Sequence, residues 1–141
     1  MNNKLYILGT DKMNFNAIDK MSAPCVTNIL SKNKEAQATR QLLLITRHIL
    51  DSFLDKSLTT DRRIYLIWYT VFFLRIWRKW IINHDKHQLK NWITLNTYTC
   101  IELNAHGLLI AVEKFRQEPK LFLPWLFSSQ PCEKYIGKCV H

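Results

Sequence analysis

One uninterrupted run limits what this chain can become. Over residues 64–74 every side chain is apolar or aromatic except Thr70, and arginines bound the run at Arg62, Arg63 and Arg75. Past it, Phe73, Ile76, Trp77 and Trp80 fall at i, i+3, i+4 and i+7, with Arg75, Arg78 and Lys79 on the opposite side. That spacing is helical. Residues 60–83 are therefore expected to form one long helix, buried all round in its first half and amphipathic in its second. The Ile, Tyr, Val, Phe and Trp content also suits a strand, but a strand leaves the Arg/Trp period unexplained. A membrane span needs about 20 apolar residues, and charge interrupts this run well short of that.

Two further long helices follow from the same rule. In residues 33–56, Leu42, Ile45, Ile49 and Phe53 form one stripe, widened by Leu50 and Leu54. Arg40, Arg47, His48, Asp51 and Asp55 face away from it, and Arg47 can pair with Asp51 one turn on. Ser31 or Asn33 caps this helix. The link over residues 57–60 is so short that helices 33–56 and 61–83 are expected to pack as an antiparallel hairpin, with Thr60 as the cap between them. In residues 94–117, Tyr98, Ile101, Ala105, Leu108, Val112 and Phe115 are spaced 3, 4, 3, 4, 3. Thr94 or Asn96 starts that helix, Pro119 stops it, and Gly107 inside it is read as a close helix crossing.

Residues 13–31 read as one or two short helices interrupted at Ala23 and Pro24, with Ser22 as the cap of the second piece. Residues 1–12 are a loose lead-in with no legible export signal, and 128–141 resemble the start of a further helix. With only 3 Gly and 4 Pro in 141 residues, little breaks these periods. The expected fold is all-α: a helical bundle of three long helices plus short terminal helices, forming one domain over 13–127. Without a signal peptide the chain is expected to be intracellular, with its four cysteines reduced.

The net charge of +9 is unevenly placed: residues 61–90 hold 7 basic and 2 acidic groups, residues 91–141 only 5 and 4. Arg62, Arg63, Arg75, Arg78, Lys79, Lys86 and Lys90, interleaved with Trp77, Trp80 and Trp92, are the candidate face for a DNA or RNA backbone, cations holding phosphates and rings stacking on bases. The competing reading is a solvated charged surface, with Trp77 and Trp80 belonging to the core. A second partner site is the apolar stretch 121–127, where Trp125 and Phe127 would serve a protein partner or self-association. Glu102 and His106, one turn apart, could act as acid and base if the carboxyl were raised by burial. The simpler expectation is a carboxylate tied to a nearby Arg, Lys or His. Cys132, Cys139 and His141 have the wrong spacing for zinc without a distant fourth ligand such as His84 or His87. No metal or cofactor is expected, and no membrane.

Three stretches, 64–81, 91–110 and 121–136, together resemble transposon-derived proteins related to P-element-type DNA transposases, across roughly residues 13–136. In that family a helical insertion interrupts a ribonuclease-H-like catalytic fold. A segment carrying the last catalytic acid follows the insertion. Ser129, Gln130 and Glu133 match the start of that segment, while Ile136 departs from its aromatic position. The resemblance implies that Glu133 is the relic of a metal-binding acid. The further acids that two-metal chemistry requires find no counterpart here. The implied function is a non-catalytic helical fragment, nuclear in location, that binds nucleic acid through its basic face. The alternative is a helical protein-interaction or oligomerisation module.

Overall fold

The computed structural model describes residues 15–84 and 92–127. The expected lead-in 1–12 and tail 128–141 lie outside these, as do Lys86, His87, Lys90, Cys132, Glu133, Cys139 and His141. Every described element is helical: α1 (Phe15–Met21), α2 (Pro24–Ser31), α3 (Gln37–Leu54), α4 (Thr60–His84) and α5 (Leu95–Lys114), followed by short 3-10 turns at Pro119–Leu121 and Pro124–Phe127. The fold is all-α, with α3, α4 and α5 as its three long members. The chain groups into two compact units divided between Arg47 and His48, so α3 begins in the first and ends in the second.

In the first unit Pro24 opens α2, where its missing N–H costs no helical bond. Ser22 does not cap that helix. Its hydroxyl donates backwards, to the carbonyls of Ile18 at 2.9 Å and Asp19 at 3.4 Å, and closes α1 instead. The extended residue before the proline, Ala23, occupies the cap position. Asn33 acts as expected: its side-chain oxygen accepts the Glu35 N–H at 2.9 Å over a 3-10 turn from which α3 continues. Within α3, Ile45 is buried but Leu42 is exposed. Arg47 pairs with Asp19 at 2.8 Å.

In the second unit α4 and α5 pack together around Ile67, Val71, Ala105, Leu108 and Phe122. Ile49 and Phe53 of α3, together with Ile101, Val112 and Phe115 of α5, flank this core, as the stripes of both helices require. Thr94 caps α5, its hydroxyl accepting the Thr97 N–H at 3.1 Å. Thr70, the one polar side chain in the 64–74 run, is fully buried and donates to the Leu66 carbonyl at 3.1 Å. Thr60 is the first residue of α4 rather than its cap.

Arg63 holds the α3–α4 corner. It is 2% exposed and donates to the carbonyls of Ser52 at 3.0 Å, Asp51 at 3.5 Å and Asp55. These lie where α3 ends; the Asp51 carbonyl also accepts the Asp55 N–H at 3.2 Å, whereas the final carbonyls of a helix have no such partner. A cation there also meets the negative end of the helix dipole. The Trp125 ring lies 5.5 Å from the guanidinium carbon on another side.

Arg63→Met removes the donor and leaves those carbonyls without it, so it should lower unfolding free energy by about 3 kcal/mol in urea titration. Gly107 marks no close crossing, because a Cβ added there meets nothing within 4 Å. Gly107→Ala should therefore raise stability by about 0.5–1 kcal/mol, read as a higher thermal midpoint.

Candidate functional site

The outer face of α4 departs most from the sequence expectation. Arg63, Leu66, Ile67, Thr70, Val71, Leu74 and Ile81 turn inward. Around the other side, Tyr65 is 55% exposed, Tyr69 40%, Phe72 53%, Ile76 70% and Trp80 53%. The first half of the helix is thus not buried all round. The expected core stripe is also divided: Phe73 and Trp77 are half-buried, whereas Ile76 and Trp80 face water. The end of α3 and the length of α5 cover one side of α4; on the other side His48 of α3 stands edge-on to Tyr69 at 5.2 Å, and Tyr65, Phe72 and Ile76 stay open.

That side has a regular form. Arg62, Tyr65, Tyr69, Phe72, Ile76, Lys79 and Asn83 alternate by 3 and 4 residues, and all are exposed. This is the a/d repeat of a helix–helix seam. With Ile64, Trp68 and Phe73, the apolar members line an open groove of about 530 Å³. The sequence carries a signal for which face is which. The inward apolar positions are aliphatic, whereas the outward ones include two tyrosines, whose hydroxyls stay wet, and end in cations.

Among the described residues the candidate basic face is divided between engaged and exposed cations. Arg63 is internal. Arg75 forks onto Glu102, Nε to Oε1 at 2.7 Å and Nη2 to Oε2 at 2.5 Å, with its guanidinium carbon 5.8 Å from the Trp68 ring and 5.7 Å from Phe72. Arg78 is half-buried, 5.9 Å from the rings of both Trp92 and Tyr98. Arg62, 4.8 Å from the Tyr65 ring, and Lys79 are exposed at opposite ends of the helix. At about 1.5 Å per residue they stand roughly 25 Å apart.

Glu102 is the most highly organised polar group on α5. Besides the Arg75 fork it accepts the Tyr98 hydroxyl at 2.5 Å. The Arg75 hydrogen bond holds its carboxyl below the usual carboxylate range, against the opposing effect of burial and with Tyr98 assisting. Burial, and then the bond to Glu102, pushes the Tyr98 hydroxyl up. An acid–base role needs the opposite shift at Glu102. His106 Nδ1 lies 2.8 Å from the Glu102 backbone carbonyl, and its ring stands edge-on to Trp68 at 5.1 Å. The pair has the geometry of a clamp between α4 and α5.

The 121–127 patch is likewise altered. Trp125 is half-buried against Arg63, while Leu121 and Leu126 are exposed; the Phe127 side chain lies outside the described residues. Cys25 and Cys100 are exposed free thiols. Among the described residues no helix is long and apolar enough to cross a membrane. No protein-family model matches the chain, and neither a curated protein nor a solved structure is similar to it.

The depressed Glu102 carboxyl sets a pH dependence. Its contribution is present above the ordinary glutamate value of about 4.3 and is lost as pH falls through the lower folded value. Water at the exposed Arg75 limits the contribution to about 1 kcal/mol. The stability difference between the wild type and Glu102→Gln should stay flat from about pH 7 to about pH 5 and shrink toward zero below about pH 4.

Proposed function

We propose that this chain is a non-catalytic helical interaction module that docks another protein on the outer face of α4. The observation that carries this reading is the line of exposed Tyr65, Tyr69, Phe72 and Ile76, in seam register on one rigid helix. Continuous apolar surface rimmed by polar groups marks interaction sites on soluble proteins, and side chains fixed on a helix lose little entropy on binding. The ionised, clamped state of Glu102 supports the non-catalytic part. The resemblance to the helical insertion of P-element-type transposases supports an origin as a piece of such a protein, with Glu133 a relic acid and the nucleus its location.

A second reading, nucleic-acid binding, draws on the rings that lie beside guanidinium groups: Arg62 over Tyr65 and Arg75 near Phe72. Base stacking between such pairs is a known mode of single-strand binding. The engagement of Arg63, Arg75 and Arg78 within the fold makes this the weaker reading.

A photo-crosslinking residue placed at Phe72 in the full chain separates the two. Docking of a protein predicts protein adducts that persist in high salt and disappear with Ile76→Ser. Nucleic-acid binding predicts oligonucleotide adducts that fall steeply with salt and with Arg75→Glu, Arg78→Glu and Lys79→Glu combined. Adducts of the second kind alone overturn the proposal.

A further inference from the structure

We infer that the α4 seam takes an acidic amphipathic helix, laid seam to seam, with carboxylates meeting Arg62 at one end and Lys79 at the other. This rests on the reading of that face as a protein-docking surface and adds the chemistry of the occupant. The secondary structure of the occupant follows from the register. Alternating steps of 3 and 4 residues keep Tyr65, Tyr69, Phe72 and Ile76 in one line, over about 16 Å at 1.5 Å per residue. Such a line offers holes to the knobs of another helix. It offers no free backbone groups for strand addition, because the helix satisfies its own.

Charge then selects among helices. The seam ends in exposed cations, and Arg75 at its flank is already matched by Glu102. The acids near the Arg62 end are Asp61, next to it in the first turn, and Asp51 of α3, which acts with Arg62 on His48 beside Tyr69. Nothing comparable stands beside Lys79 on the helix, so that end has the stronger need of a carboxylate. A second copy fits poorly. The antiparallel pairing that sets Tyr65 against Ile76 and Tyr69 against Phe72 also sets Arg62 against Lys79, and symmetry repeats that clash. In-register parallel pairing stacks each cation on its own copy, in a chain already at +9. Like charges facing across an interface are strongly selected against. A helix with apolar seam positions between two carboxylate-bearing ends meets every requirement.

The test uses the full chain and two synthetic helical peptides with the same leucine seam. One carries Glu at the positions facing Arg62 and Lys79; the other carries Lys there. The Glu peptide should bind at least about tenfold more tightly at low salt. Arg62→Glu with Lys79→Glu should reverse the preference. Phe72→Ser with Ile76→Ser should abolish binding of both peptides while leaving the helical circular dichroism unchanged. Equal binding of the two peptides overturns the inference. So does a single-stranded oligonucleotide that displaces the Glu peptide. Self-association of the chain that Phe72→Ser abolishes also overturns it, because a second copy is then the occupant; in that case α4 remains a docking face. If neither peptide binds and Phe72 forms no protein crosslink, the docking reading falls with it.

Discussion

The second unit depends on one buried cation. Arg63 stands where α3 stops and α4 starts, and three carbonyls of the last turn of α3 and its exit receive its N–H groups. Burial lowers the affinity of this guanidinium for its proton. The charge is nevertheless compensated, by carbonyl dipoles at a helix end and by the face of Trp125. The corner is therefore specified by chemistry and not only by a short link. With the corner set, Ile67 and Val71 are presented to Ala105 and Leu108, and the small side chain of Ala105 leaves room for α4.

A second clamp acts further along. Arg75 leaves α4 sideways to reach Glu102, while Tyr98 and Arg78 cover the same edge. Between the two clamps α4 is committed on its inner side and open on its outer side. The same helix thus serves as core and as surface, and its two apolar faces are distinct in kind, aliphatic inward and mixed aromatic outward.

The existence and type of every long helix were legible from spacing, because α3 and α5 each sustain a core stripe at steps of 3 and 4, although α5 also carries Leu103 and Ile110 exposed off it, and Asn33 and Thr94 are strong caps. The orientation of α4 was not. Apolar residues on nearly every position give no period, so nothing in residues 64–74 distinguishes a helix wrapped on all sides from one covered on half. The following Phe73, Ile76, Trp77 and Trp80 do have a period, but it points between the two faces. The engagement of part of the candidate basic face within the fold was hidden for a related reason. Charge counts treat Arg62 and Arg63 alike, whereas a rotation of 100° per residue sends one to solvent and the other into the core. Only long-range pairing reveals that Arg75 already has a carboxylate, 27 positions away. Spacing on one helix could not supply it.

The Arg63 corner also bears on the order in which the chain assembles. Its contacts join residues only 8, 11 and 12 apart. Closing so short a loop takes roughly 10–100 ns and carries a small entropic penalty. Trp125, which completes the shell of the same guanidinium, lies 62 positions downstream (125 minus 63). The α3–α4 corner is thus built from contacts local in sequence, whereas the aromatic segment after α5 reaches it only through a much longer closure.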